Sequence, residues 1–301
     1  MKLTRLFAEG GPALSFEVFP PKAGNNYESV RSATEAIAGL RPAFMSVTCG
    51  AGGSTEGFTV SIAKNLKDKF GVTPLVHLIC ISSTEQEIES SLLQIRDAGI
   101  KNILALRGDM PKYDQAAIKK DFRYACDLVA KIKRFGDFCV GGACYPEGHP
   151  EAPNFDEDIN NLRVKVDAGC DFLVSQMFFD NNIFYAFLDK LAAKGINVPV
   201  IPGIMPVTNA KQIRRILELS GRTLPRKFAK IVERFGDDPE AMKQAGIVYA
   251  TEQVVDLYAS GIKNVHIYTM NKPEVAARVM DNISAIIKTQ IFGRSTARGI
   301  K

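Results

Sequence analysis

Short apolar runs alternate with longer amphipathic stretches along this chain, and this alternation restricts its fold more than any other feature. The intervening stretches, such as YESVRSATEAIAGL (27–40), have helical periodicity and often end at glycine. Uninterrupted apolar runs bounded in this way are typical of parallel strands that are buried on both faces. The eight runs are LSFEVF (14–19), FMSVTC (44–49), PLVHLIC (74–80), NILALRG (102–108), FCVGGACY (138–145), FLVSQMFF (172–179), VPVIPGIM (198–205) and NVHIYTM (264–270).

Eight strand–helix units in 301 residues predict an α/β protein, a (β/α)₈ TIM barrel that forms a single catalytic domain over residues 1–301. An open doubly wound sheet is the competing architecture, but no G-x-G-x-x-G follows the first strand. The interval 206–263 is too long for one crossover. It contains two stretches of helical periodicity, so we expect extra helices before the last strand.

The composition of the chain limits which kinds of partner the protein is expected to bind. The chain has 38 basic and 33 acidic residues, a net charge of +5 that is too mild to indicate nucleic acid but suits a ligand carrying phosphates or carboxylates. Its longest apolar stretches are too short to span a bilayer, and the N-terminus lacks the apolar core of a signal peptide. We therefore expect a cytoplasmic protein with neither a nucleic-acid nor a membrane partner.

Polar side chains recur in or just after the later half of the predicted strands. In a barrel these positions converge on the carboxyl-terminal face, where active sites are built. The pattern therefore predicts a site there. Its seven members are Glu17, Thr48, His77, Asp109, Tyr145, Gln176 and Tyr268.

Each of these residues also has a structural interpretation. Glu17, in SFEVFPPK, is either a tuned catalytic carboxyl or a buried ion-pair partner of Arg107. Asp109 could merely cap or turn the loop after the fourth strand, and His77 and His266 could be core histidines. A metal site built from the histidines lacks H-x-H or H-E-x-x-H spacing.

Two further segments have the composition of ligand-binding elements. GAGGST (50–55) is a Gly-rich loop without a P-loop lysine, so it is a weak phosphate signal. The stretch 158–169 places Asp158, Asn161 and Lys165 within two helical turns. This face is either simply solvated or holds a sugar hydroxyl and a pyrophosphate.

Several motifs together resemble the methylenetetrahydrofolate reductase family. The resemblance covers about residues 14–275 and is to the bacterial-type form, which consists of the catalytic barrel without the adenosylmethionine-sensing domain. The motifs, in family order, are SFEVFPPK, SVTCGAGGS, HLIC, LALRGDMP, YPEGHPEAP, LRVKVDAG, SQMFFD, IPGIMPVTN and IYTMN.

The resemblance implies a FAD-dependent enzyme with ping-pong kinetics. NADH or NADPH reduces the flavin and leaves, and 5,10-methylenetetrahydrofolate is then reduced to 5-methyltetrahydrofolate, which supplies methyl groups for methionine synthesis. No clamp for a 2′-phosphate is visible, which favours NADH. A homo-oligomer is expected by analogy with the family.

The resemblance also implies site residues by motif position. Lys272 replaces an arginine that would grip the folate's glutamate, and Ile216 stands where an aromatic ring can stack on the ligand. The FAD positions are Thr48, Cys49, Ala51, His77, Arg107, Gly108, Asp109, Ala125, Tyr145, His149, Ala152, Asp158, Asn161 and Lys165. The folate positions are Glu17, Asp109, Gln176, Gln212 and Lys272, with Thr48 and Gln176 also resembling nicotinamide contacts.

The two carboxylates are the expected catalytic pair. Opening the folate's five-membered ring needs a proton on N10, and we expect Phe16, Phe19 and Pro20 to wall Glu17 and raise its pKa for that task. Asp109 is expected to stay ionised and to stabilise the cationic intermediate. The rival functions are a metal-dependent barrel hydrolase using the three histidines and a non-catalytic flavin- or folate-binding barrel.

Overall fold

The computed structural model describes residues 1–21, 27–49, 56–110, 121–213 and 224–287. Strands and helices alternate along it as the apolar pattern predicts. The elements are α1 (Leu3–Glu9), β1 (Ala13–Val18), α2 (Tyr27–Ala38), β2 (Phe44–Val47), α3 (Glu56–Phe70), β3 (Thr73–Ile79), α4 (Glu85–Asp97), β4 (Asn102–Leu106), α5 (Ala125–Phe135), β5 (Cys139–Cys144), α6 (Phe155–Asp167), β6 (Phe172–Ser175), α7 (Asn181–Ala193), β7 (Val200–Ile201), β8 (Gly203–Ile204), α8 (Arg226–Phe235), α9 (Pro239–Ala259), β9 (Asn264–Tyr268) and α10 (Pro273–Asn282).

All strand pairs are parallel, and the sheet order is β7-β6-β5-β4-β3-β2-β1-β9-β8. The two ends of this sheet, β7 and β8, are consecutive in the chain and are separated only by Pro202. The sheet therefore curls into a nearly closed barrel. The (β/α)₈ prediction is confirmed, and the open doubly wound sheet is wrong.

The seventh predicted strand, VPVIPGIM, is divided because Pro202 has no N–H to donate to a ladder. Its first half pairs with β6, where Leu173 N donates to Pro199 O over 2.8 Å. Its second half pairs with β9, where His266 N donates to Pro202 O over 2.9 Å. One broken strand thus contacts both neighbours.

The long interval before the last strand contains α8 and α9, as predicted. Asp238 caps α9 by accepting hydrogen bonds from Glu240 N and Ala241 N over 3.0 and 3.1 Å. Phe228 of α8 stacks on Tyr249 of α9 with ring centroids 4.4 Å apart. These helices form a small apolar cluster together with Met205 and Val207, which follow β8.

Helix α1 was not predicted, and it closes the amino-terminal end of the barrel. Leu3 is fully buried, and the Phe7 ring meets the Phe44 and Phe172 rings edge-on at 6.1 and 5.1 Å. Asn102 anchors the helix, since its Oδ1 accepts from Leu3 N over 2.8 Å. The carboxyl ends of the strands lie at the opposite end of the barrel.

The main core lies between the outer face of the barrel and the surrounding helices, and it includes Phe16 and Val18 of β1. Within the described ranges, no helix is both long enough and apolar enough to cross a membrane.

Candidate active site

The structure places all seven predicted polar residues at the carboxyl-terminal end of the barrel strands. Glu17, His77 and Tyr268 lie within the last part of their strands. The other four follow a strand by one to three residues: Thr48 after β2, Asp109 after β4, Tyr145 after β5 and Gln176 after β6. This confirms the predicted placement and defines the candidate active site.

Glu17 lies on the face of β1 that points into the barrel. Ser46 Oγ, from β2, donates to Glu17 Oε2 over 3.4 Å, and His77 Nε2, from β3, lies 3.5 Å from the same oxygen. The Glu17 side chain is 20% exposed. Phe16 does not wall this carboxyl as predicted, because adjacent strand residues point to opposite faces and Phe16 packs in the outer core.

Burial raises the pKa of Glu17 to about 7, while the hydrogen bond from Ser46 acts to lower it. The sequence correctly predicted that the pKa of Glu17 is raised, but the residues that bury the carboxyl belong to the barrel interior. Burial also lowers the pKa of His77 to about 4, so this imidazole is neutral at pH 7. Glu17 is therefore a carboxyl that is partly protonated near neutral pH and has a neutral histidine beside it.

Arg107 does not pair with Glu17, so that structural interpretation is wrong. Its guanidinium forms two parallel hydrogen bonds to Glu151, with NH1–Oε2 and NH2–Oε1 distances of 2.6 and 2.7 Å. Bidentate geometry of this kind fixes both side chains. The partner of Arg107 belongs to the loop after β5, and within the described ranges no lysine or arginine forms an ion pair with Glu17.

Gly108 follows Arg107 with φ +92°, a conformation that side chains rarely adopt. A Cβ at this position would lie 2.4 Å from Ile79 Cγ2. Only glycine fits where β4 ends, and Asp109 follows it with an exposed side chain.

The loop after β5 brings together three predicted cofactor residues. The Tyr145 and His149 rings meet edge-on at 4.6 Å, and His149 N donates to Asp158 Oδ2 over 2.9 Å. Glu151 N donates to His149 Nδ1 over 3.1 Å, which leaves the proton of the neutral imidazole on Nε2. His149 Nε2 is therefore a donor, and no group in the described part of the chain accepts from it. Ala152 N closes the loop by donating to His149 O over 3.0 Å.

Helix α6 carries three of the predicted cofactor residues, Asp158, Asn161 and Lys165. Lys165 is half-buried, and its Nζ donates to Ala143 O over 2.7 Å. Burial lowers the pKa of this ammonium. Asn161 is exposed on the same helix, and Ala125 is the first residue of α5.

The predicted substrate residues lie on three segments of the same rim. Gln176 is exposed, and its Oε1 accepts from Met177 N over 2.9 Å. Gln212 Nε2 contacts Met205 Sδ at 3.6 Å, and Lys272 Nζ donates to Thr208 Oγ1 over 2.7 Å.

Thr48 and Cys49 follow β2 and are both partly exposed. Thr48 N donates to Val18 O over 3.0 Å, which ties this segment to the end of β1. Ala51, the GAGGST loop and Ile216 lie outside the described residues.

Sequence reasoning named Lys272 in the loop after β9 but missed the contacts by which this loop fixes the end of β1. Thr269 Oγ1 donates to Glu17 O over 2.6 Å. Asn271 accepts from Phe19 N over 3.0 Å and donates to Phe19 O over 2.8 Å. Met270 and Asn271 both have positive φ, +54° and +53°. Asparagine tolerates this conformation, and N-K-P is the available signal of a turn.

Tyr268 crosses the barrel interior from β9 to β6. Its hydroxyl donates to Ser175 O over 2.6 Å, and burial raises its pKa well above the ordinary value. A Cβ on Gly203 would lie 2.6 Å from the Tyr268 hydroxyl, so the ring needs glycine there.

Among the described residues, no group of three or more histidine, cysteine, aspartate or glutamate side chains is arranged to hold a metal ion. His77 and His266 are buried inside the barrel, whereas His149 lies on the loop after β5. The three histidines are thus divided between the barrel interior and its rim.

Comparisons with known proteins identify the family to which this sequence is similar. The sequence matches the family model described as methylenetetrahydrofolate reductase over residues 2–284. It is 36% identical to the 5,10-methylenetetrahydrofolate reductases of Pectobacterium carotovorum and Escherichia coli, over 268 residues in each case and 89% of each chain. It is 35% identical to methylenetetrahydrofolate reductase (NADH) 1 of Arabidopsis thaliana, of which it spans about half, 51%, with 96% of its own length.

A solved structure shares the fold at low sequence identity. It is an uncharacterised Clostridium thermocellum protein that binds two copies of 5-methyl-5,6,7,8-tetrahydrofolic acid, with a TM-score of 0.66, 14% identity and coverage of 96% of this chain and 100% of that one. Fold similarity at this identity shows the architecture alone. The family match over nearly the whole sequence shows more: this chain belongs to the methylenetetrahydrofolate reductase family.

Proposed function

We propose that this protein reduces 5,10-methylenetetrahydrofolate to 5-methyltetrahydrofolate and that Glu17 is the acid of the reaction. The observation that carries the proposal is the position of the Glu17 carboxyl at the mouth of the barrel, beside Ser46 and a neutral His77, where burial raises its pKa to about 7. Family membership supports the substrate, because the relatives are named for this reduction.

Glu17 has the protonation state that the substrate requires. The methylene carbon bridges N5 and N10 and becomes reducible only after the C–N10 bond breaks to leave a 5-iminium cation. Protonation of N10 makes it a leaving group, and a general acid works best when its pKa lies near the operating pH. A carboxyl with an ordinary pKa would be ionised and unable to do this.

Asp109 is proposed as the group that stabilises the cation. Its side chain is exposed after β4, and its charge adds to the effect of burial, which raises the pKa of Tyr145 across the rim. A carboxylate at this place would lower the energy of a positive charge on the substrate without needing to transfer a proton. Gln176, Gln212 and Lys272 are proposed to hold the rest of the folate.

Polar groups in the barrel interior and on its rim fit FAD. Among the described residues, His77 Nε2 is buried without a hydrogen-bond partner, and no group accepts the proton on His149 Nε2. Lys165 keeps two N–H donors beyond its bond to Ala143, and Asp158 lies on the same helix face. Bound FAD would carry two electrons from the nicotinamide to the folate. We propose that His77 meets the flavin side and that His149, Asp158 and Lys165 hold the ribityl and pyrophosphate side.

NADH is the proposed reductant, in a ping-pong sequence with NADPH as the alternative. The Arabidopsis relative is named for NADH, and Thr48 and Gln176 are the proposed nicotinamide contacts. The product would supply methyl groups for methionine synthesis. A homo-oligomer remains part of the proposal by analogy with the family.

The test is an anaerobic titration of the purified protein. NADH should bleach the flavin absorbance, and methylenetetrahydrofolate should restore it with one equivalent of 5-methyltetrahydrofolate formed. A flavin that NADH bleaches but the folate never reoxidises would overturn the proposal in favour of a non-catalytic binding barrel. A colourless protein with stoichiometric zinc would overturn it in favour of a metal-dependent hydrolase.

A further inference from the structure

A chain of buried polar groups leads to Glu17 from inside the barrel. Ser15 Oγ lies 2.8 Å from His266 Nδ1, and His266 Nε2 lies 3.0 Å from Ser46 Oγ. Ser46 Oγ in turn donates to Glu17 Oε2 over 3.4 Å. Ser15, Ser46 and His266 are each at most 1% exposed, so water does not replace these partners.

The barrel register creates this chain. Ser15 lies opposite His266 in the β1–β9 ladder, and Glu17 lies opposite Ser46 in the β1–β2 ladder. The His266 ring also stacks on Phe44 with centroids 5.5 Å apart, which fixes its plane. The imidazole therefore joins two serines on either side of it.

His266 is neutral at physiological pH. Burial lowers its pKa to about 3, and the neighbouring His77 acts in the same direction. A neutral imidazole donates from one ring nitrogen and accepts at the other, and each serine hydroxyl has one proton. The chain can therefore run in only two directions, towards Glu17 or away from it.

Only one of these two directions gives an ionised Glu17 a hydrogen bond from Ser46. In it, Ser15 donates to Nδ1, Nε2 donates to Ser46, and Ser46 donates to the carboxylate. In the other direction Ser15 would donate to Val265 O, 3.1 Å away, and Ser46 would donate to His266. Glu17 Oε2 would then meet a lone pair of Ser46 Oγ, and a largely buried carboxylate that faces a lone pair in place of a donor is disfavoured.

We propose that Ser46 and His266 are positioning residues for the Glu17 acid: they fix the Ser46 hydroxyl as a donor to Oε2, so that the transferable proton is carried on Oε1. The proposal rests on the proposed function where it names Glu17 as the acid. In the step itself, the Glu17 Oε1–H bond breaks and an N10–H bond forms. The C–N10 electron pair then passes to N10, and the remaining carboxylate keeps the hydrogen bond from Ser46.

The other titratable groups that face Glu17 are uncharged, so they do not lower its pKa as a nearby cation would. His77 on β3 is neutral at pH 7 because its pKa is about 4, and Tyr268 on β9 keeps its proton because its pKa is raised well above the ordinary value. The Ser46 hydroxyl is thus the group that opposes the effect of burial on Glu17.

The test is a pH titration of Glu17 in holoenzyme labelled with ¹³C at the glutamate carboxyl carbon, with the signal assigned by its loss in Glu17→Gln. Ser46→Ala should raise the Glu17 pKa by about one pH unit, since a hydrogen bond to the ionised form is lost. His266→Phe keeps the ring stack but frees the Ser46 hydroxyl, so it should give a smaller rise. Ser46→Cys, with a weaker donor, should also be intermediate if Ser46→Ala fails to fold.

Ser175→Ala is the matched control. Ser175 is an equally buried barrel serine, but its Oγ accepts from Gly203 N and belongs to no chain reaching Glu17. This variant should leave the Glu17 titration unchanged. Equal titrations in Ser46→Ala, Ser46→Cys and Ser175→Ala would overturn the proposal.

A kinetic readout separates this proposal from the proposed function. In Ser46→Ala the alkaline limb of the folate half-reaction should move to higher pH with the Glu17 pKa, while flavin reduction by NADH keeps its pH profile. If Glu17→Gln still reduces the folate, the acid assignment fails, yet the carboxyl titration still decides whether the hydrogen-bond chain tunes Glu17.

Discussion

Replacing Glu17 with glutamine should stabilise the protein above neutral pH, because the native fold holds this carboxyl against its ionisation. The ordinary pKa of 4.5 and the folded value of about 7 differ by about 2.5 pH units. At ~1.36 kcal/mol per unit, ionising Glu17 costs the folded state roughly 3 kcal/mol at pH 8. Glutamine keeps the shape and removes that cost.

The sign of the pH dependence follows from proton binding. Between pH 4.5 and about 7 the folded state binds more protons at Glu17 than the unfolded state, so the free energy of unfolding falls as pH rises. In Glu17→Gln this decrease in the free energy of unfolding should be absent. Denaturant titrations at pH 5 and pH 8 measure the difference, which should be small at pH 5 and near its full size at pH 8.

A surface carboxyl gives the control of opposite sign. Hydrogen bonds from Lys69, Asn65 and Arg31 lower the pKa of Glu35 to about 2. Its contribution is present above the unfolded pKa of 4.5 and is lost as pH falls towards 2, so Glu35→Gln should destabilise at pH 8. If Glu17→Gln also destabilised at pH 8, Glu17 would be a structural residue and the reasoning would be refuted.

Three further predictions concern the rim. Asp109→Asn removes a negative charge, so the bound flavin's reduction potential should rise and folate reduction should slow, as potentiometry and stopped-flow mixing would show; no change in either would remove Asp109 from the site. Lys165→Ala combined with His149→Ala should lose FAD during gel filtration, and full flavin occupancy would mean that the cofactor is misplaced. Asn271→Ala should lower the free energy of unfolding by about 1–3 kcal/mol in denaturant titrations, because both Phe19 backbone bonds and a residue suited to positive φ are lost; Asn271→Gly should lose less.

The sequence predicts the barrel well because each strand is buried on both faces and so reads as an unbroken apolar run. The division at Pro202 was not predicted, although a proline inside a buried strand is a signal of such a break. Helix α1 was missed because its apolar residues Leu3 and Phe7 pack on Phe44 and Phe172, which lie far away in the chain.

The site was predictable only to the level of strand ends. Parallel strands bring their carboxyl ends to one face, so Glu17 and its companions could be placed together from the sequence. The hydrogen-bond chain beneath Glu17 could not, since it depends on the register that sets Ser15 against His266 and Ser46 against Glu17. The mistaken role of Phe16 arose from reading neighbours in sequence as neighbours in space, although strand side chains alternate.

The most direct test of the account is a pair of stopped-flow measurements on Glu17→Gln. Flavin reduction by NADH needs no proton from this carboxyl, whereas opening of the folate ring does, and loss of a general acid typically costs about 10²–10⁴-fold. The account predicts a folded, yellow variant that NADH reduces at a near-normal rate and that fails to pass electrons to methylenetetrahydrofolate. A variant that reduces the folate at the normal rate would contradict the role of Glu17.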